Sequence, residues 1–177
     1  MKENNDRYKK KIIIPLTDKE ISEIVPEKYI SEVKDELKDS VVHEFLDFKD
    51  KDKAVKQVKI WWQIKEGEIQ GKTVLKIFRD CWCYPIFYDV PDFIESDPIV
   101  KEITEKIMDL NGSYYEFDSH DQACWFNYEQ EFKDRFIWLD LFKRLMARLN
   151  EINDGTCVFV DYETEEWEKL CRENKEI

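Results

Sequence analysis

The chain has 177 residues, a mass of 21.6 kDa and a formal net charge of −12 at pH 7. Hydrophobic residues make up 42% of it and aromatic residues 14%, which is more apolar surface than a disordered chain carries. The length is typical of one domain, so we predict a single domain over residues 1–177, with residues 1–11 as a flexible basic arm.

The acidic residues are concentrated in the middle of the chain. Residues 89–134 contain thirteen acids and three bases, whereas residues 1–16 contain five bases and two acids. An acidic region of this strength repels nucleic acid and anionic membranes and attracts basic proteins. The charge pattern therefore argues against direct nucleic-acid or membrane binding and favours a basic protein partner. The alternative is a charged surface that only keeps the protein in solution.

The cysteine content indicates a compartment. The five cysteines are an odd number, and the chain begins with a polar, basic segment rather than a secretory leader. We therefore expect free thiols in a reducing environment and a cytoplasmic location. No apolar run approaches the roughly 20 residues that a membrane-spanning helix needs.

The N-terminal part suggests a short strand followed by helices. Residues 11–16 are rich in β-branched side chains, which favour a strand. Thr17 and Glu20 have the spacing of a capping box and predict a helix start. Pro26 fits the first turn of a longer helix that reaches about residue 48. Its apolar stripe has three- and four-residue spacing and consists of Ile30, Val33, Leu37, Val41 and Phe45.

Residues 56–88 have the pattern of a hairpin at the centre of the fold. Apolar residues at 58, 60, 62 and 64 are spaced two apart, which is the period of a half-buried strand. Gly67 and Gly71 interrupt this pattern, and residues 72–78 and 86–88 resume it. We predict a hairpin and a third strand, all antiparallel, with Trp61 on the face opposite to Trp62.

The second half alternates between helical and extended patterns. Residues 89–97 predict an acidic loop, after which Asp97 caps a helix that begins at Pro98. Residues 113–128 favour two strands around a turn, 129–150 a long amphipathic helix, 156–160 a central strand and 163–172 a last helix. The predicted fold class is α+β, with a mostly antiparallel sheet of about 4–6 strands and three or four helices packed on it.

The motifs of common enzymes are missing. With four glycines, the chain has no phosphate-binding loop, and it has no nucleophile elbow and no HExxH zinc motif. We therefore favour a protein that is not an enzyme and has no cofactor.

The alternative that stays open is a small enzyme or a zinc-containing domain. Its candidate residues are Cys81, Cys83, His120 and Cys124, because three thiols and an imidazole can hold zinc. The CxC spacing departs from the CxxC that is usual in structural zinc sites. His120 and Cys124 are also a candidate base and nucleophile, with Asp118 or Asp121 orienting the imidazole.

Acids and aromatic rings together suggest a surface that recognises a protein. Carboxylates attract a basic partner over a distance, and aromatic rings supply contact area. The predicted partner-binding residues are Asp89, Asp92, Glu95, Asp97, Glu116, Asp118, Asp121, Trp61 and Trp125. A site for a hard cation among the first four acids is the alternative, although their spacing differs from that of an EF-hand.

The hypothesis from sequence is an acidic, cytoplasmic inhibitor module that masks a basic surface of another macromolecule. Its carboxylates would take the place of phosphates in the partner's substrate groove. The partner would be a basic protein, for example a nucleic-acid-processing enzyme or a toxin, as for a toxin-immunity protein or a phage anti-defence inhibitor. The sequence leaves the oligomeric state open.

Overall fold

The computed structural model describes residues 14–42, 50–79, 85–87, 89–119 and 121–172. The chain divides into two compact units, Met1–Glu66 and Gly67–Ile177, which we call the first and the second unit. The single domain expected from sequence stays a prediction, because compactness alone does not measure whether two units fold independently.

The first unit is helical in its described residues. Its elements are Asp18–Ser22 (α1), a 3₁₀ turn at Glu27–Tyr29, Ile30–Val42 (α2) and Lys51–Ile69 (α3), whose last three residues belong to the second unit. The predicted capping box is confirmed: Thr17 Oγ1 accepts from the Glu20 N–H at 3.3 Å, and Glu20 Oε2 accepts from the Thr17 N–H at 2.8 Å. The core contains the buried residues Leu16, Ile21, Val25, Val33, Leu37, Ala54 and Val58.

The strand predicted at residues 56–64 is wrong, because this segment lies inside helix α3. The buried residues are Ala54 and Val58, four apart, and Trp61 and Trp62 follow at three and four residues further and pack beside them. That spacing is one face of a helix. No glycine or proline occurs between residues 51 and 66, so nothing in the segment interrupts a long helix.

The second unit contains all five described strands, in two small sheets. They are Thr73–Ile77 (β1), Ile86–Phe87 (β2), Tyr115–Ser119 (β3), Gln122–Phe126 (β4) and Cys157–Asp161 (β5). One sheet has the order β2-β1-β5, with β1 antiparallel to β2 and parallel to β5, and the other is the β3–β4 hairpin. The predicted strands at 72–78, 86–88 and 156–160 are therefore present. The central position predicted for the strand at 156–160 is wrong, because β1 lies between β2 and β5.

Five helices in the described residues lie wholly in the second unit: Asp92–Glu95 (α4), Pro98–Gly112 (α5), Tyr128–Lys133 (α6), Arg135–Ile152 (α7) and Thr164–Arg172 (α8). The predicted helix after Asp97 is confirmed, since Asp97 Oδ1 accepts from Ile99 N and Val100 N. The helix predicted over 129–150 is divided at Asp134, which ends α6 and precedes α7.

The core of the second unit is built around Trp138, which is fully buried. Its ring stacks on Trp167 with centroids 5.5 Å apart and on Phe142 at 5.9 Å. Buried residues of the three-stranded sheet, including Leu75 and Ile77, belong to the same cluster. Burying these large side chains stabilises the unit by roughly 1.5–3 kcal/mol each.

The predicted fold class is wrong in its main statement. The described chain is dominated by helices, with two small sheets instead of one mostly antiparallel sheet of four to six strands. Two features cause the difference: residues 56–64 join a helix, and the β1–β5 pair is parallel. Residues 14–16 form no strand, and residues 11–13 of that predicted strand lie outside the described residues, as does the basic arm at 1–11.

A candidate partner-binding surface on the second hairpin

The β3–β4 hairpin presents two different faces. Its register pairs Tyr115 with Phe126 and Phe117 with Cys124. Because successive side chains of a strand alternate between faces, these four share one face. The hairpin was predicted as two strands around a turn, and the structure confirms it.

An aromatic strip runs along this first face. Tyr128 packs on Phe126 with ring centroids 4.7 Å apart, and Phe126 packs on Tyr115 at 4.9 Å. At the base, Phe126 also contacts the buried Tyr114 at 5.7 Å, which anchors the strip in the core. Towards the tip, Phe117 keeps 59% of its surface exposed. The strip therefore passes from the core to an exposed phenyl ring.

Acidic residues lie next to the exposed ring in the sequence. Glu116 and Asp118 flank Phe117 in the chain, Asp121 lies in the turn, and all three are exposed. We call Glu116, Asp118 and Asp121 the hairpin acids. The register places Glu116 opposite the half-buried Trp125 on the second face. The structure thus brings four of the predicted partner-binding residues together on one element.

Two of these acids have an unusual backbone conformation. Asp118 has a φ of 53° and Asp121 a φ of 57°, in the left-handed region. Asp and Asn tolerate this region better than other non-glycine residues. Asparagine substitutions therefore remove the charge while keeping a compatible backbone, which makes them suitable test variants.

A second acidic group lies on α4 and the residues before it. Asp89, Asp92 and Glu95, which we call the α4 acids, are exposed, whereas Ile94 is fully buried and Phe93 is half-buried against the core. The predicted loop over 89–97 is thus partly a short helix. Its apolar residues fix it to the core, and its acids face solvent.

Asp97 has an internal role, of which the sequence indicates only the helix cap. The residue is 9% exposed, and its carboxylate caps α5 and pairs with Arg148, with Nη2 at 2.6 Å and Nε at 3.2 Å. The Arg148 guanidinium, followed by the Val100 N–H, lowers the pKa of Asp97 from 3.8 to about 2. Because its oxygens are already bonded, we leave Asp97 out of the proposed partner surface.

Trp61 belongs to the first unit, on α3. It is half-buried, packs against the core of that unit and contacts Tyr29 at 6.1 Å, while Trp62 contacts the same ring at 5.5 Å. The two tryptophans therefore lie on one side of a helix, and the prediction that they point to opposite faces is wrong. The cause is the 100° step between helix neighbours, against 180° in a strand.

Of the four residues of the zinc or enzyme alternative, the structure describes only Cys124. Cys124 is an exposed free thiol on β4, and Cys81, Cys83 and His120 lie outside the described residues. Among the residues that the structure describes, no group of three potential metal ligands comes together. The zinc and thiol hypotheses stay predictions.

A polar cluster around Arg79 was missed by sequence reasoning. The Arg79 N–H donates to Glu163 Oε1 at 2.9 Å, and its guanidinium pairs with Glu131 and lies 5.3 Å from the Trp138 ring centroid. Glu163 Oε2 also accepts from Trp167 Nε1 at 3.0 Å. These contacts link residues 52 and 84 positions apart, so no local spacing predicts them.

The same region contains a buried phenol. Tyr114 donates from its hydroxyl to Asp134 Oδ2 at 3.0 Å, and Gln130 Nε2 donates to the same carboxylate. Burial, and then the bond to Asp134, raise the pKa of Tyr114. Hydrogen bonds and an ion pair within the cluster connect the end of β1 to α6, α7 and α8. The cluster therefore has a structural role.

Every helix in the described ranges is too short or too polar to cross a bilayer. Comparison of the chain with protein-family models, with curated proteins and with solved structures finds no match.

Proposed function

We propose that this protein is an acidic, cytoplasmic binding module that masks a basic surface of another macromolecule. One observation carries the proposal: an exposed hairpin presents Phe117, 59% exposed, between two exposed carboxylates. Large exposed aromatic rings are typical anchors of protein interfaces.

The acids and the ring would have different roles in binding. Carboxylates attract a basic partner during the encounter and set its orientation, which mostly raises the association rate. The phenyl ring is removed from water in the complex, which mostly lowers the dissociation rate. The net charge of −12 adds a long-range field of the same sign.

The inhibitor class follows from the chemistry of the acids. A row of carboxylates can pair with the lysines and arginines that a nucleic-acid enzyme uses for phosphates. Occupying that groove excludes the natural substrate by competition. Toxin-immunity proteins and phage anti-defence inhibitors act in this way. A cytoplasmic location agrees with the free thiols of Cys124, Cys157 and Cys171.

The test compares three variants with equal charge changes. The hairpin triple carries Glu116→Gln, Asp118→Asn and Asp121→Asn. The α4 triple carries Asp89→Asn, Asp92→Asn and Glu95→Gln. The control triple carries Glu105→Gln and Asp109→Asn on α5 and Asp140→Asn on α7, all exposed. Each removes three negative charges, so a general effect of net charge is the same in all.

The measurement is capture of lysate proteins by each variant at about 50 mM and about 500 mM salt. We expect the wild type to capture a basic protein at low salt and to lose it at high salt. The control triple should also capture this protein, whereas the hairpin triple should not. A partner that is acidic, or capture that does not respond to salt, contradicts the proposal. Inhibition of the captured partner's activity on nucleic acid then tests the inhibitor class.

A further inference from the structure

Three aromatic rings of the first unit meet beside its core, and we call Tyr29, Trp61 and Trp62 the ring cluster. Tyr29, at the end of the 3₁₀ turn, contacts Trp61 with ring centroids 6.1 Å apart and an interplanar angle of 63°. It contacts Trp62 at 5.5 Å and 45°. All three residues are half-buried, and both tryptophans pack on the core of the unit. The core therefore holds the rings in place while part of their surface stays in contact with solvent.

Two lysine ammonium groups lie over this cluster. Lys65 Nζ is 5.7 Å from the ring centroid of Tyr29 and 5.8 Å from that of Trp61, so two rings share it almost equally. Lys28 Nζ lies 4.7 Å from the Tyr29 centroid. A cation within roughly 6 Å of a ring centroid is attracted by the negative face of the ring. The ring cluster is therefore a cation site, which lysines of the chain itself occupy.

A carboxylate completes the site. Glu32 Oε2 accepts from Lys65 Nζ at 3.0 Å, and Glu32 is exposed. The carboxylate accepts N–H bonds from an ammonium group, and the rings contact its charge and the carbon atoms beside it. Ring faces together with a carboxylate therefore suit the end of a lysine side chain, whether unmodified or N-methylated.

The ammonium group of Lys65 can be displaced at small cost. The Lys65 side chain is 31% exposed and that of Glu32 is 52% exposed. An ion pair with this exposure contributes little, because water screens it and two long side chains must be ordered to form it. The flexible four-carbon stem of a lysine also allows its ammonium group to move into solvent.

We propose that the ring cluster binds a lysine side chain of a basic protein partner, unmodified or N-methylated, whose ammonium group displaces that of Lys65. This inference goes beyond the proposed function, because it concerns the first unit and does not depend on the hairpin acids. It assigns a binding role to Trp61 on observations other than those that define the hairpin surface.

The probes are three short peptides that differ only in their central residue, which is lysine, trimethyllysine or the uncharged carbon isostere of trimethyllysine. Free choline is the fourth probe, because it separates a small quaternary amine from a protein side chain. Binding to the full chain is followed by NMR titration of the indole N–H resonances of Trp61 and Trp62.

The wild type should distinguish the probes by charge. The trimethyllysine peptide should bind and shift both indole resonances, and the lysine peptide should bind more weakly because its ammonium group is more strongly hydrated. The uncharged isostere should bind at least about fivefold more weakly than trimethyllysine, because the rings attract only a cation in this way. This comparison does not depend on the folding of any variant.

Variants test the competition with Lys65. Lys65→Met keeps a long side chain and removes the competing charge, so it should raise the affinity for the trimethyllysine peptide about threefold or more. Lys59→Met, an equal change at an exposed position of α3, is the matched control and should stay within about twofold of the wild type. Tyr29→Phe should keep the affinity, whereas Tyr29→Leu, which has no ring, should lower it about fivefold.

Other outcomes overturn the inference in distinguishable ways. Equal binding of trimethyllysine and its uncharged isostere rejects a cation site, and binding of choline alone rejects a protein side chain as the ligand. An affinity that Lys65→Met lowers shows that Lys65 supports the rings instead of competing for them. If no probe shifts either indole resonance, the site is rejected. The hairpin triple should bind the peptides like the wild type, so failure here is distinguishable from failure of the proposed function.

Discussion

In the three-stranded sheet of the second unit, Leu75, Ile77 and Val160 are fully buried, whereas in the β3–β4 hairpin Phe117 is mostly exposed. Both sheets contain apolar side chains, but only the first sheet uses them mainly for the core. The hairpin keeps Phe126 at its base against the core. An exposed ring is accessible to a partner, and the proposed binding surface therefore lies on the hairpin.

The largest expected effect comes from truncating a buried residue of the core sheet. Ile77→Ala should lower the free energy of unfolding by about 3 kcal/mol, because it leaves a cavity among fully packed neighbours. Phe117→Ala, the matched change on the hairpin, should alter it by less than about 0.5 kcal/mol. Urea denaturation of both variants measures the contrast, and similar losses would remove the distinction between the two sheets.

The pH dependence of stability should differ between Asp97, which is bonded within the fold, and an exposed acid such as Asp118. Because the pKa of folded Asp97 is about 2 instead of 3.8, folding favours its ionised form. This contribution is fully present above about pH 4 and is lost as the pH falls through about 2.

Asp97→Asn should therefore lower the melting temperature by several degrees at pH 7 and show a flatter decline between pH 4 and pH 2. Asp118→Asn should leave the pH profile of the wild type unchanged. Thermal melts across this pH range give the comparison, and identical profiles for the wild type and Asp97→Asn would argue against the Arg148 pair.

Gly67 lies close to two valines of the core sheet. A Cβ on Gly67, near the end of α3, would lie 2.9 Å from Val74 Cγ2 and 3.2 Å from Val158 Cγ2. Since valine side chains are stiff, Gly67→Ala should destabilise the protein by about 1–2 kcal/mol despite the better helix propensity of alanine.

Gly112, in the last turn of α5, is the matched control because a Cβ there meets nothing within 4 Å. Gly112→Ala should stabilise the protein by up to about 1 kcal/mol. The two changes should thus have opposite signs in denaturant titrations. Equal signs would indicate that Gly67 does not lie tightly against Val74 and Val158.

The smallest effect on stability is expected for the hairpin triple. Its acids are exposed and asparagine tolerates the left-handed backbone of Asp118 and Asp121, so the melting temperature should change by no more than about 2 °C. Partner capture should nevertheless be lost. A triple variant that unfolds would show instead that the hairpin acids are structural.

Local signals in the sequence predicted the local elements of this fold. The capping box of Thr17 and Glu20, the Asp97–Pro98 helix start and the strand pair around residue 120 each depend on residues a few positions apart. Non-local contacts could not be predicted from local patterns. Strand β5 pairs with β1 across some 80 residues, and Arg148 forms an ion pair with Asp97, which is 51 residues away. Residues 56–64 show a further limit, because Val58, Ile60, Trp62 and Ile64 satisfy a strand period by coincidence.

The candidate site was predictable in its composition but not in its arrangement. Glu116, Asp118, Asp121 and Trp125 were identified from charge and aromatic content, and they meet on one hairpin. The exposed Phe117 was missed, because a phenylalanine between acids in a strand pattern is more often a core residue. Asp97 and Trp61 were included because sequence position does not reveal burial.

The capture of a basic protein from lysate by the hairpin triple and by the control triple, at about 50 mM salt, tests the central claim most directly. Both variants have the same net charge, so only the position of the removed acids differs. The account predicts that the hairpin triple captures about tenfold less of this protein than the control triple. Equal capture would contradict it, because binding would then depend on total charge and not on the hairpin.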